Sequence, residues 1–173
     1  ISDLKSKGKL LVGYTGAHGI VNALDTIIEA AEVLQDQGAD RVHFLLVGEG
    51  PEKQGLVEKA KSLGLNNISF FASIPKDAIP ALLSSIDIAM RAGRKSGLGK
   101  YGISPNKVFD YMAGARPIIW TKNSVNNPVA EADCGITVPP EEPEELAKAI
   151  MKLCDLSGRE RQEMGMRGYD YVM

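Results

Sequence analysis

The stretch KLLVGYTGAHGIVNALDTIIEAAEVLQDQGADRVHFLLVGEG, residues 9–50, decides the fold. Lys9 to Tyr14 is a short apolar run that reads as a buried strand ending in a Thr15-Gly16 turn. After it Leu24, Ile27, Ile28, Ala31 and Leu34 recur at the spacing of one helical face. Arg41 to Val47 is a second strand, and Gly48-Glu49-Gly50-Pro51 supplies its turn. Pro51 is placed to open the helix that carries Leu56, Ala60 and Leu63. Strands apolar on both faces and joined through helices belong to a parallel sheet covered on both sides.

The alternation continues outward. Asn67 to Phe71 is a third strand, and its helix starts near Pro75 and buries Ile79, Leu82 and Leu83. Pro80, near the start of that helix, tightens or kinks it. Ile86 to Met90, Pro117 to Trp120 and Gly135 to Val138 are three more strands, with a short helix over Asn127 to Ala132 before the last. Pro143 at a first helical position, followed by Glu144 and Glu145 at the positive end of the dipole, opens a helix burying Leu146, Ala149, Ile150 and Leu153. Ser157, with Glu160 three residues on, caps a final one. The expected fold is α/β, a Rossmann-like three-layer α/β/α domain on a six-stranded parallel sheet.

Composition bounds the function. A chain of 173 residues fits one large domain, and 44% hydrophobic residues are enough for a core that needs no staple. The net charge of −2, without a strongly basic run, argues against nucleic acid as a partner. The longest apolar stretches are too short to span a bilayer, and no basic segment leads into an apolar one as in a signal peptide. A cytoplasmic location is expected. Cys134 and Cys154 have neither framework nor metal-ligand spacing and read as small core residues in a reducing compartment. No Cys/His/Asp cluster has ligand spacing either, so neither a metal nor another cofactor is expected. Ile1 is not an initiator methionine, and Tyr169 to Met173 stop inside a helical pattern, so the chain is expected to be part of a longer one.

Three segments carry chemistry. Gly13, Gly16 and Gly19 follow the first strand, where a phosphate-cradling loop belongs, although their spacing is neither GxGxxG nor a Walker loop. Gly16 leaves room for a ligand there, and Thr15, His18 and Asn22 can add hydrogen bonds; the alternative is a turn that merely keeps strand and helix close. His43 lies in a buried-strand pattern and reads as structural. The second segment is Gly102 to Met112. Ser104 is a good N-cap and Pro105 a good first helical residue. Val108 and Met112 face the core, whereas Asn106 and Asp110 share a polar stripe. Lys107 in the first turn opposes the helix dipole unless an anion docks there, and Asp110 can accept hydrogen bonds from ribose hydroxyls. The third is the long loop from Arg91 to Ser104 with Arg91, Arg94, Lys95 and Lys100, of which Arg91 lies closest to a strand end.

Gly48-Glu49-Gly50-Pro51, Ile86-Asp87-Ile88-Ala89-Met90 and the run Pro105 to Ile119 (PNKVFDYMAGARPII) together resemble the C-terminal domain of the retaining GT-B glycosyltransferases of family 4. Within it the bacterial branch that builds O-antigen, capsule or colanic-acid-type polysaccharide is most similar. The likeness covers essentially the whole chain, 1–173. It implies that this domain holds a nucleotide-sugar donor, with a UDP-sugar expected, and that an N-terminal domain holds a sugar or lipid-linked sugar acceptor. Chemistry then falls in the cleft between them, generally without a metal, so this chain alone is expected to catalyse nothing. A basic, apolar patch on the other domain would place the longer protein at the inner membrane's cytoplasmic face.

Residue by residue, the family's paired acids fall on Gly102, where the first acid is absent, and Asp110, where the second, which holds the ribose, is shortened from Glu. Ile103 to Lys107, with Ser104, Pro105 and Asn106, resembles the segment that meets sugar and diphosphate, and Val108 follows it. The nucleobase contact falls near Ser73 and Ile74. The family's diphosphate-clamping Arg and Lys align with Ala17 and Asn22, which leaves Lys107, helped by Arg91 or Arg94, to do that work. Gly114-Ala115 inverts the family's Ala-Gly order. Two other functions fit parts of this pattern. A GT-B sugar-nucleotide epimerase would turn over free UDP-sugar without an acceptor. A non-catalytic interaction module is the other, but the acids that a receiver-like domain clusters at its first strand end are missing here.

Overall fold

The computed structural model describes residues 1–95, 106–121 and 125–173. Its centre is a six-stranded sheet in the order β3-β2-β1-β4-β5-β6. The strands are β1 (Leu10–Thr15), β2 (Val42–Val47), β3 (Ile68–Phe71), β4 (Ile88–Arg91), β5 (Ile118–Thr121) and β6 (Gly135–Val138). Every pairing is parallel, for instance Leu10↔Val42 through Thr15↔Val47. The expected fold class is the observed one. Strand boundaries move by one or two residues from those read in the sequence, as they do where pairing ends.

Eight helices are described: α1 (Ser2–Ser6), α2 (Leu24–Asp36), α3 (Lys53–Ser62), α4 (Ile79–Ser85), α5 (Asn106–Ala113), α6 (Pro128–Glu131), α7 (Pro143–Asp155) and α8 (Gly158–Val172). Alternate strand residues face opposite cores. Val12, Tyr14, Phe44, Leu46, Ile88 and Met90 pack with α2, α3 and α7. Leu11, Leu45, Ala89, Ile118 and Trp120 pack with α4, α5 and α6, against which Leu4 and Val172 also lie. Both cysteines are buried and free.

Local signals explain most helix ends. Asn127 caps α6 by accepting from Ala130 N, and Ser157 opens α8 with a full capping box to Glu160. The helix expected from Pro75 is a 3₁₀ turn over Lys76–Ala78 that passes into α4, with Pro80 in its first turn, where no N–H is missed. The short α1 was not legible, since none of its residues is buried.

Candidate functional site

The chain runs β1, β2, β3 toward one edge of the sheet and β4, β5, β6 toward the other, so the topology reverses between β1 and β4. Parallel sheets of this kind leave a crevice beyond the carboxyl ends of the strands at that point. A cavity of about 440 Å³ lies there, lined by residues that include Gly16, Gly48, Ser73, Ile74, Lys107 and Asp110. Its walls are thus the loops after β1, β2 and β3, with α5 closing the far side.

The floor is two interlocked loops. Gly16 N donates to Val47 O at 2.9 Å, His18 N to Glu49 O at 2.8 Å, and Glu52 N back to His18 O at 3.0 Å. Strand pairing thereby continues past the strand ends. This close approach needs glycine at Gly48, whose φ is +153° and whose Cβ would fall 1.8 Å from Gly16 O. Gly16, with φ +138°, leaves the room that Lys107 fills, because a Cβ there would lie 1.9 Å from Lys107 Nζ.

Lys107 Nζ donates to Tyr14 Oη at 3.1 Å and stands 4.9 Å from the centre of that ring. No carboxylate pairs with it among the described residues. Burial, and then the nearby Arg91 charge, pull its pKa below the usual lysine value. Arg91 stacks 5.9 Å over Trp120, and its Nη1 is buried without a hydrogen-bond partner among the described residues. Two cations thus stand near one another at the switch point, and neither has a carboxylate partner among the described residues. One turn beyond Lys107, the buried Tyr111 bonds Thr15 N at 3.0 Å and Thr15 Oγ1 at 3.2 Å and fastens α5 to the end of β1.

The structure thus brings Gly16, Ser73, Ile74, Lys107 and Asp110 to one cavity, with Arg91 beside Lys107. Other candidates do different work. Arg94 is spent on Asp25 (2.8 Å), Glu141 (3.1 Å) and Ile20 O (3.1 Å), tying the first turn of α2, the loop before α7 and the loop after β1 together rather than facing the cavity. Asn22 Nδ2 donates to Ala17 O at 2.8 Å. His18 is fully buried behind the loop beside Tyr14 and Phe70, and neither ring nitrogen has a hydrogen-bond partner among the described residues. Burial first, then the Lys53 charge, hold its pKa below the usual histidine value, so it is neutral near pH 7. Val108 is fully buried in the α5 core and offers nothing to a ligand, and Asn106, at the start of α5, does not line the cavity. Gly102, Ser104 and Pro105 lie outside the described residues.

Sequence reasoning missed Tyr14 and Tyr111. The second had a signal: Lys107 and Tyr111 are four apart and share one side of the helix. Tyr14 had none, because a buried aromatic in a strand reads as core. A second cavity of about 400 Å³, between α4, α5 and α8, shares Lys76, Ile79 and Asp110 with the first.

Known proteins share this fold. The C-terminal domain of a group 1 glycosyl transferase family protein (LpcC) from Francisella tularensis superposes with a TM-score of 0.76 at 24% identity, over 99% of this chain and 89% of that one. HepE of Anabaena, solved with UDP and glucose, superposes with a TM-score of 0.78 at 18% identity, over 99% of this chain and 45% of its own. Both show the fold. In sequence the chain is 32% identical over 111 residues to WcaI of Escherichia coli, named as a colanic acid biosynthesis glycosyl transferase, covering 64% of this chain and 26% of WcaI. It is 26% identical to the alpha-D-kanosaminyltransferase of Streptomyces kanamyceticus, over 84% of this chain and 36% of that enzyme. The chain therefore spans roughly a quarter to two fifths of the length of such relatives. The kinship is settled by the family model for glycosyl transferases group 1, which matches residues 9–155, from the approach to β1 to the end of α7, and the chain belongs to that family.

Proposed function

We propose that this chain is the donor-binding half of a retaining GT-B glycosyltransferase of family 4, and that the cavity at the sheet's switch point takes a UDP-sugar. The observation that carries the reading is Lys107: a half-buried amine with no carboxylate partner among the described residues, on the wall that also presents Asp110. In this reading Lys107, beside Arg91, meets the diphosphate. Asp110 accepts hydrogen bonds from the ribose hydroxyls, and the backbone near Ser73 and Ile74 receives the base. The glycine loop at Gly16 leaves the Lys107 amine its place against the main chain. As the bond between sugar and diphosphate breaks, negative charge grows on the departing phosphate, and a fixed cation there lowers the barrier.

The UDP and glucose held by HepE and the colanic-acid role in WcaI's name support a UDP-sugar and a task in bacterial surface polysaccharide synthesis. The acceptor, a sugar or lipid-linked sugar, is then held by a second domain. The far side of the reacting carbon needs that domain's residues, so the 173-residue chain binds donor without turning it over.

The test is calorimetric titration of the chain with UDP and with uridine. Lys107→Ala weakens UDP far more than uridine, and the difference shrinks as salt rises. Asp110→Asn weakens both by about 1.5–3 kcal/mol, since both carry the ribose. Equal small losses for the two ligands in Lys107→Ala would move the phosphate site elsewhere, and an unchanged affinity in Asp110→Asn would remove it from the ribose.

A further inference from the structure

We propose that Tyr14 is a positioning residue for the donor diphosphate: its hydroxyl, anchored on the first loop, aims Lys107 Nζ into the cavity. The proposal rests on the assignment of Lys107 to the diphosphate made above.

Tyr14 is fully buried one residue before the end of β1, and its ring packs in the core shared with α2 and α7. Lys107 comes from α5, whose core lies on the other face of the sheet. The two meet at the carboxyl end of β1, beside Gly16. The phenol has one proton, and that proton is committed: Tyr14 Oη donates to Ala17 O at 2.8 Å. Asn22 Nδ2 holds the same carbonyl at 2.8 Å, so the acceptor is braced from two sides. Burial raises the Tyr14 pKa far above neutral pH, and the hydroxyl stays protonated.

Tyr14 Oη therefore has only lone pairs left to offer, and Lys107 Nζ is the donor in their 3.1 Å contact. An ammonium carries three N–H groups. One is spent on the tyrosine, and no other acceptor among the described residues takes one, which leaves the others for ligand oxygens. The chain Asn22–Ala17–Tyr14–Lys107 thus runs from a loop that walls the cavity to the cation that serves it. A lysine stem is flexible, and fixing it before the ligand arrives removes ordering that binding would otherwise have to supply. Gly16 is part of the device, since any side chain there would occupy the place of the amine.

Tyr14→Phe keeps the core-filling ring and removes the hydroxyl alone. UDP affinity is expected to fall about three- to tenfold, the effect of one such hydrogen bond, while uridine affinity is unchanged. A tyrosine that served packing only would lower the melting temperature without moving the ratio of the two affinities. The closing experiment is a double-mutant cycle over Tyr14→Phe and Lys107→Ala, titrated with UDP and uridine. In the Lys107→Ala background, Tyr14→Phe should cost UDP nothing further. A full additional loss there would show that Tyr14 shapes the loop rather than the lysine and would overturn the proposal. A Tyr14→Phe ratio equal to the parent's, with Lys107→Ala still selective for UDP, would overturn it too and leave the diphosphate assignment standing. If Lys107→Ala itself treats UDP and uridine alike, the assignment fails first and the positioning role falls with it.

Discussion

Ala115 sits in the left-handed region with φ +50°, at the exit of α5, where an L side chain costs roughly 1–2 kcal/mol. The family pattern has its glycine at this position, and here the glycine is one residue earlier. The structure explains the shift. A Cβ on Gly114 would stand 2.8 Å from Leu83 Cδ1, so Gly114 lets α4 close on α5. The helix still ends in the usual way, with Ala115 N on Met112 O at 2.9 Å, but with alanine in the strained place. Ala115→Gly is therefore expected to stabilise the chain. Strain relief, less the entropy that glycine adds to the unfolded state, leaves roughly 0.5–1 kcal/mol. The melting temperature should rise by about 1–4 °C, as a thermal melt will read, and a fall would show that the methyl group is making contacts that outweigh the strain.

At the scale of elements, most of the fold was legible because each strand is a short apolar run and most helices are signed by proline, a cap or a regular apolar stripe. All six strands and the capping box at Ser157 were read from such signals. The candidate site was legible in its parts, as a glycine loop and a lysine and an aspartate on one helix. How those parts are held was not. Local sequence does not show that the loops after β1 and β2 interlock, that Tyr14 reaches Lys107, or that Arg94 is consumed by Asp25 and Glu141, since each partner comes from a distant element. Arg94 illustrates the difference. Its charge and place in the chain resemble a ligand clamp, yet its fork ties the first turn of α2 to the loop before α7 and to the first loop. That tie steadies one side of the sheet's switch point without adding a group to the cavity.

For the molecule as a whole, two buried histidines set a pH dependence. His18 and His43 both have pKa values below the usual histidine value, chiefly because burial disfavours the imidazolium. In the unfolded chain both protonate near pH 6.5, roughly the model-peptide value. Above that pH neither state is charged, and the histidines leave stability unchanged. Below it the unfolded chain takes up protons that the folded one refuses, so stability declines until the folded pKa values are passed. Among the carboxylates, Glu49 and Glu141 are held low by hydrogen bonds and ion pairs and titrate at more acid pH. The melting temperature should thus be lower at pH 5.5 than at pH 7.5 (roughly one unit either side of the model histidine value), and His18→Phe should flatten the difference. A flat profile in the parent chain would mean that both imidazoles are charged inside the fold.

The role proposed for the cavity depends on where a nucleoside diphosphate settles on this sheet. The most direct measurement is a crystal structure of the chain grown with UDP. The diphosphate is expected within hydrogen-bond reach of Lys107 Nζ while that amine keeps its contact with Tyr14 Oη, with the ribose hydroxyls on Asp110 and the base beside Ser73 and Ile74. Density for UDP in the cavity between α4, α5 and α8, or over the Arg94 cluster, with Lys107 turned to solvent, would contradict it.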